Sequence, residues 1–179
     1  EPEHTILISL LILDTVVQGI ELCFYVAFLL FNKLSISYRY ADWFVTTPTM
    51  LVSLYVFMKY LDRDPQEVLT IGEVLSEDLT VIVWMLVLNA VMLLGGLLVE
   101  RGILSKFIGH TIGFIAFGVV FSLIFTNTLS PNGFGIFLSA FVCSVWFAYG
   151  AVASGIREAK WRSVSYNILD VFSKNVYGV

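Results

Sequence analysis

The fold of this chain is decided by its last apolar stretch, residues 165–177, which reads SYNILDVFSKNVY. The stretch is apolar enough to lie in a lipid bilayer, yet it carries Asp170 and Lys174, four residues apart. That spacing puts both side chains on one face of a helix. An ionisable side chain in a membrane span costs about 3 kcal/mol, so it indicates a functional site by default. Two interpretations are open: an ion pair that holds two helices together, or an amine at Lys174 that forms a Schiff base, with Asp170 as its counter-charge.

The composition indicates the class of protein to which this stretch belongs. The chain has 179 residues, of which 58% are hydrophobic and only 13% charged, and its mean hydropathy is +0.87. These values are typical of an all-helical membrane protein and not of a soluble domain. The net charge of −4 and the lack of a basic run argue against a nucleic-acid partner. We see no nucleophile–base pair and no metal-ligand cluster in the sequence, so we predict neither an enzyme nor a metal site.

Six apolar segments follow one another along the chain, each close to the ~20 residues that a bilayer core requires. They cover residues 5–31, 36–61, 79–99, 107–125, 134–154 and 164–179. The breaks between them are short, which predicts that sequential segments are antiparallel neighbours in one bundle. The longest break, residues 62–78, is acidic, and its part from residue 67 to residue 75 is compatible with a short interfacial helix.

The first segment carries polar side chains on one stripe. Asp14, Gln18 and Glu21 lie at i, i+4 and i+7, which is a single face of a helix. Two acids on one stripe favour a hydrated face turned towards the interior of the bundle. The alternative is that they brace neighbouring helices through hydrogen bonds.

The second segment contains the run RYADWFVTTPT, residues 39–49. Asp42, Thr46 and Ser53 lie at i, i+4 and i+11, so they form a line along one side of the helix. Arg39 is one turn before Asp42 on the same side. Pro48 removes a backbone donor in the middle of the span, and threonine hydroxyls can satisfy the carbonyls that it frees.

These motifs resemble those of the microbial (type 1) rhodopsins. The run RYADW followed by TTP resembles their third helix, and Asp-x-x-x-Lys resembles their retinal-attachment helix. The run WFAYG, residues 146–150, is similar to the sixth helix, whose Trp and Tyr wall the retinal, with Gly150 where the family often has proline. Asn89, Met92 and Gly96 match the retinal-facing stripe of the fourth helix, with Asn89 where a pump such as bacteriorhodopsin has an aspartate. Phe114, Phe117, Gly118 and Phe121 fit the fifth helix.

The resemblance implies an all-α membrane protein with a seven-helix transmembrane bundle. Six helices, the second to the seventh, are expected here. Residues 1–179 would be a single retinal-binding transmembrane domain that lacks the first helix and the end of the last. It also implies an integral, multi-pass protein in contact with lipid, in a plasma membrane or a host cell membrane, with a homo-oligomer as one option.

The same resemblance implies an all-trans retinal cofactor, bound as an imine to Lys174. Asp42 and Asp170 would be the counter-ions of this imine, with Asp42 as proton acceptor, and Arg39 would balance their surplus negative charge. The expected retinal pocket consists of Trp43, Thr46, Thr47, Asn89, Met92, Gly96, Phe117, Gly118, Phe121, Trp146, Tyr149 and Gly150.

Departures from the pump pattern favour one function among several. At Ser53 an outward proton pump of the bacteriorhodopsin type has the carboxylate that reloads the imine. Glu21 and Asp14 align with the gate glutamates of the channelrhodopsins, and Asn175 follows the lysine as their gate asparagine does. The Asp-Thr-Ser triplet and the Ser-Lys-Asn ending resemble the viral rhodopsins. We therefore favour a light-gated cation channel; a light-driven outward proton pump and a sensory photoreceptor are the alternatives. The expected ion pathway consists of Asp14, Gln18, Glu21, Ser53 and Asn175.

Two arguments about orientation disagree. The resemblance implies that the Lys174 end and residues 62–78 face the cytoplasm. The positive-inside rule favours the opposite orientation. In the orientation that the resemblance implies, six basic residues lie on the outer side and only two on the inner side: Lys33, Arg101, Lys106, Arg157, Lys160 and Arg162, against Lys59 and Arg63.

Overall fold

The computed structural model describes residues 5–31, 36–64, 68–128 and 133–176, without the side chains of residues 31, 175 and 176. The described residues form helices: α1 (Thr5–Phe31), α2 (Ile36–Asp62), α3 (Ile71–Glu77), α4 (Leu79–Glu100), α5 (Lys106–Thr128), α6 (Gly133–Gly155) and α7 (Ala159–Asp170). A π-helical turn, Val171–Val176, continues α7. Five of these helices, α1, α2, α4, α5 and α6, are long and apolar enough to cross a membrane.

The predicted segments agree with these helices to within a few residues, except at the last one. The last helix begins at Ala159 and not at residue 164, because its first turns are polar and do not belong to the apolar stretch. The short helix expected after residue 67 begins at Ile71. Thr70 caps it: its hydroxyl accepts from the Glu73 backbone N–H, and the Glu73 carboxylate accepts from the Thr70 backbone N–H.

Sequential helices pack against one another, as the short connections predict. α1 packs on α2, α4 on α5, α5 on α6, and α6 on α7, while α2 also packs on α4 and α1 contacts the π-helical turn. α4 and α5 approach closely through glycines: a Cβ atom on Gly95 would lie 3.0 Å from the backbone oxygen of Gly109. The connection between them is compact because Gly102, at φ 70°, adopts the left-handed conformation after α4. Its N–H donates to the Val99 carbonyl, as the N–H of Ile103 does to Leu98.

Pro48 lies inside α2 without ending it. The hydroxyls of Thr46, Thr47 and Thr49 each donate to the carbonyl four residues earlier. Pro48 deprives the Phe44 carbonyl of its usual donor. The three hydroxyls donate instead to the carbonyls of Asp42, Trp43 and Val45, on either side of it.

The core consists of two apolar clusters with polar side chains between them. The larger cluster contains Leu51, Leu54 and Met85, and the smaller one Tyr40 and Tyr166. The level of α2 between the clusters carries buried polar groups. The buried polar side chains of this layer are Glu21, Arg39, Asp42, Thr46, Asn89, Asp170, Ser173 and Lys174. Buried polar groups are costly unless paired, so this layer is where a site is expected.

Candidate retinal-binding site

The amine of Lys174 lies among three carboxylates. Its Nζ atom is 2.7 Å from Oδ2 of Asp42, 3.4 Å from Oε1 of Glu21 and 3.8 Å from Oδ1 of Asp170. Lys174 is 3% exposed, so these carboxylates replace the water that its charge would otherwise require. Three elements supply them: α2, α1 and the end of α7. Asp42 and Asp170 were predicted next to the amine, whereas Glu21 was predicted only as part of the ion pathway.

Arg39 supplies the second positive charge of the site. Its Nη1 atom donates to Oδ2 of Asp170 at 3.2 Å, and its Nη2 atom donates to the Ser163 hydroxyl and the Asn167 side-chain oxygen. Two cations therefore face three carboxylates in this layer. Arg39 is 3% exposed, and its position one turn before Asp42 on α2 directs it towards α7.

Two tyrosines complete the surroundings of Asp170. The hydroxyl of Tyr25 donates to Oδ2 at 2.6 Å, and that of Tyr149 donates to Oδ1 at 2.7 Å. Sequence analysis missed Tyr25, Ser163 and Asn167 as site residues. A signal was present for two of them, because Tyr25 lies one turn after Glu21 on its stripe and Asn167 lies one turn before Asp170.

An apolar cavity reaches Lys174, which is one of its lining residues. Of the twelve residues expected in the pocket, eight line this cavity: Trp43, Thr47, Met92, Gly96, Phe117, Trp146, Tyr149 and Gly150. Thr46 and Asn89 are buried beside it, where Thr46 bonds to the Asp42 carbonyl and the Asn89 amide donates to Thr47 at 2.9 Å. Phe121 lies behind Phe117 and Trp146, with ring centroids 4.8 and 6.1 Å away.

The structure differs from the expectation at Gly118. This residue is exposed, and a Cβ atom there would meet nothing within 4 Å. The reason is the helical repeat of α5: Phe117 and Phe121 are four residues apart and face inward, while Gly118 is rotated by about 100° from Phe117. Phe114, which was matched to the fifth helix but left out of the expected pocket, also lines the cavity, as do Tyr40 and Tyr166, which were not predicted there.

Two expected pocket glycines allow aromatic rings to approach the helix backbone. A Cβ atom on Gly150 would lie 2.8 Å from ring carbons of Phe114, and one on Gly96 would collide with the hydroxyl of Tyr40. A side chain at either position would displace an aromatic wall of the cavity. Glycine is therefore required at both positions because a larger residue would collide with these rings, and not because of a turn in the backbone.

The residues present fit a long apolar chain joined to an amine. The cavity walls are mostly aromatic and apolar, and the Lys174 amine among them is held by a direct carboxylate contact. Oδ1 of Asp42 is buried without a hydrogen-bond partner within the described part of the chain, which leaves one acceptor free beside Lys174. Lys174 would hold retinal as an imine, and Trp43 and Trp146, which line the cavity, would flank its polyene.

The predicted ion-pathway residues lie at two levels of the bundle. Glu21 contacts Lys174, while Asp14 accepts a hydrogen bond from Ser53 at 2.9 Å, two helical turns away from Glu21 along α1. Gln18 lies between them on α1. The Asn175 side chain lies outside the part of the structure that is described.

The helices enclose an apolar cavity that is lined by an amine able to form an imine. This arrangement is that of a retinal-type, light-driven membrane protein. The family follows from the chain as a whole. The family model for bacteriorhodopsin-like proteins matches residues 3–179, and the chain belongs to that family. The family implies a retinal chromophore, and the apolar helices make the chain an integral, multi-pass membrane protein in contact with the lipid bilayer.

A solved structure supports the same assignment. The chain is similar to the crystal structure of viral rhodopsin OLPVRII, with 27% sequence identity and a TM-score of 0.83. The match covers 99% of this chain and 80% of that chain. It confirms the predicted rhodopsin-type helical bundle and the similarity to viral rhodopsins. A search of curated proteins found no match.

Proposed function

We propose that this protein is a light-gated cation channel that uses all-trans retinal bound as an imine to Lys174. The observation that supports this best is the 3.4 Å contact between Glu21 and the Lys174 amine. Glu21 belongs to the acidic stripe of α1, so a change at the amine acts directly on a carboxylate of the expected pathway. This contact links light absorption to the place where a cation would pass.

The proton on the Lys174 nitrogen is the first group to move. When bound, retinal supplies the absorption of light and a change of shape that alters the direction of this N–H bond. Asp42 is the nearest acceptor, at 2.7 Å, and it takes the proton. Arg39, Tyr25 and Tyr149 hold Asp170 by donating to its oxygens, so Asp170 stays in position as the second counter-ion.

Cation conduction follows from the chemistry of the stripe. Once Lys174 has lost its positive charge, Glu21 loses the cation that it faces in the resting state. A carboxylate without that partner attracts a passing cation and replaces part of its hydration shell. Asp14 provides a second carboxylate on the same helix face, and Ser53 and Asn175 complete the proposed pathway.

A light-driven outward proton pump is the alternative, and a specific observation favours it. The Asp14 carboxylate accepts from Ser53, so an acid reaches the position where the sequence of α2 itself has none. A sensory photoreceptor is a further alternative. In each case we propose that residues 1–179 are one retinal-binding domain, that the Lys174 end faces the cytoplasm, and that the protein lies in a plasma membrane or host cell membrane, with a homo-oligomer as one option.

The channel proposal is tested by replacing Glu21 and recording light-induced currents. We expect Glu21→Gln to lower the cation conductance or change the selectivity among cations, because the carboxylate beside Lys174 is lost. Glu21→Asp is the matched control: it keeps the charge and should retain most of the current. Identical currents from Glu21→Gln and the unmodified protein, at equal pigment yield, would show that Glu21 is structural.

A further inference from the structure

His110, on the second turn of α5, is partly buried and lines the apolar cavity. Its Nδ1 atom is 3.0 Å from the hydroxyl oxygen of Ser154 on α6. That hydroxyl donates to the Gly150 carbonyl at 2.9 Å, so its oxygen is left to accept from Nδ1–H. Nε2 is then the nitrogen of His110 that takes up and releases a proton.

The part of the cavity that His110 lines is remote from Lys174. Tyr149 marks the Lys174 side, because its hydroxyl is 2.8 Å from the Ser173 hydroxyl. His110 instead contacts Ser154, which follows Tyr149 by five residues on α6. With a rise of 1.5 Å per residue, these two residues of α6 are ~8 Å apart along the helix axis. A chain attached to Lys174 and lying in the cavity would therefore bring its far end towards His110.

The charged and titratable groups that face His110 come from the helices packed around it. They are Lys106 of α5, Glu100 at the end of α4, Arg162 of α7, and the cavity tyrosines Tyr40 of α2 and Tyr166 of α7. Glu100 and Arg162 pair with each other at 2.7 Å, which offsets their charges. Lysine, arginine and glutamate keep their charges near neutral pH, and tyrosine stays neutral there. Histidine is the side chain whose charge changes in this range.

A proton can reach His110 from the end of the bundle at which α5 begins. The residue is ~6 Å from Lys106 along the helix axis, which is still close to the level of the lipid headgroups. It also lines a second cavity, at the surface, together with Lys106 and Ser154. Because His110 lines both cavities, its protonation can follow the pH at this surface without a path through the polar layer around Lys174.

We propose that His110 sets the wavelength of light that bound retinal absorbs, through the charge on its imidazole. In the protonated imine of a conjugated chain, the positive charge lies near the nitrogen, and excitation by light shifts it towards the far end. A positive imidazole at that far end repels the shifted charge. Protonation of His110 therefore raises the energy of the excited state and moves the absorption to shorter wavelengths. The proposal rests on the proposed imine at Lys174, and it holds for a channel, a pump and a sensory photoreceptor alike.

The sign of the shift separates His110 from the carboxylates around Lys174. Protonation of Asp42, Asp170 or Glu21 removes negative charge beside the imine nitrogen. This loss destabilises the ground state more than the excited state, so it moves the absorption to longer wavelengths. A shift to shorter wavelengths on acidification is thus the signature of a group at the far end of the conjugated chain.

Absorption spectra of the retinal-loaded protein, recorded between about pH 4 and pH 8, test the proposal. We expect the maximum to move to shorter wavelengths on acidification, by on the order of 10 nm. His110→Gln, which stays neutral and can still donate to Ser154, should abolish this shift. His4→Gln, which removes the other histidine of the chain, is the matched control and should leave the shift intact. The same shift in His110→Gln, or no shift in the unmodified protein, would overturn the proposal.

Nitrogen-15 NMR of the histidine rings gives a readout that needs no light and no substitution at His110. In a tag-free His4→Gln variant, all histidine signals come from His110, with retinal absent or bound. We expect Nε2 to titrate in both forms, and its midpoint in the loaded protein to coincide with that of the wavelength shift. A wavelength shift while the His110 charge stays constant would mean that His110 only joins α5 to α6. A failure of the channel proposal would be distinct, because it would change the photocurrents and leave this titration intact.

Discussion

Lys174 and Arg39 carry the two positive charges of the polar layer, and they differ in what they can do there. Lys174 presents an amine that can form an imine, at the wall of a cavity. Arg39 presents a permanently charged planar group with several donors, which suits a structural role. Its contacts with Asp170, Ser163 and Asn167 all lead to α7. We therefore propose that Lys174 attaches retinal and that Arg39 positions α7.

Replacing Lys174 tests the attachment site. We expect the unmodified protein to develop a visible absorption band after addition of all-trans retinal, and Lys174→Ala to remain colourless because no other amine lines the described cavity. Lys59→Ala is the matched control: Lys59 pairs with Asp78 at 2.9 Å, away from the cavity, and its loss should leave the band intact. A band in Lys174→Ala of the same strength would place the linkage elsewhere.

Replacing Arg39 tests the balance of charge. Truncating one partner of a buried ion pair typically costs about 3 kcal/mol, because the other charge is left buried. We expect Arg39→Ala to lower the free energy of unfolding of the retinal-free protein by roughly this amount, measured by chemical denaturation in detergent. Arg101→Ala, an exposed arginine after α4, should change it by less than about 0.5 kcal/mol. Equal effects of the two variants would contradict a buried pair at Arg39.

Among the helices, α7 departs most from what its sequence predicts. It changes from α-helical to π-helical after Asp170, so that Lys174 lies within a wider turn. Short π-helical turns are rare in proteins, and those that occur often lie at functional sites. Here the wider turn carries Ser173 and Lys174 next to Tyr149 and Asp42.

The close packing of α4 and α5 depends on glycine and can be tested within one helix. A Cβ atom on Gly109 would collide with Val99 and lie 3.0 Å from the backbone oxygen of Gly95. We expect Gly109→Ala to lower the thermal stability, because overpacking costs about 2 kcal/mol and exceeds the gain of about 1 kcal/mol in helix propensity. Gly118→Ala, in open space on the same helix, should leave the melting temperature unchanged or raise it. A stabilising Gly109→Ala would contradict the packing of α4 on α5.

The helices and the central ion pair could be predicted from sequence, whereas the full site could not. Asp170 and Lys174 are four residues apart, and any regular helix brings such residues to one side. The contact of Glu21 with Lys174 depends on how α1 is rotated against α7, which no local pattern specifies. The exposure of Gly118 has the same origin, because its neighbours Phe117 and Phe121 determine the inward face of α5. The π-helical turn has no sequence signal that we can identify.

The whole bundle is organised by charge along its length. α4 has an ion pair at each end: Asp78, before its start, pairs with Lys59 at 2.9 Å, and Glu100, at its end, pairs with Arg162 at 2.7 Å. The layer around Lys174 lies between these two levels. In the proposed channel, a cation would pass through this layer, where it would meet the positive charge of Lys174.

Current–voltage curves recorded under light, with two different cation gradients, test the channel proposal most directly. For a channel, the light-induced current reverses sign, and the reversal voltage shifts with the cation gradient, because ions move down their electrochemical gradient. Lys174→Ala should give no light-induced current under the same conditions. A current that stays outward across the physiological voltage range, whatever the cation gradient, would contradict the channel and favour a light-driven pump.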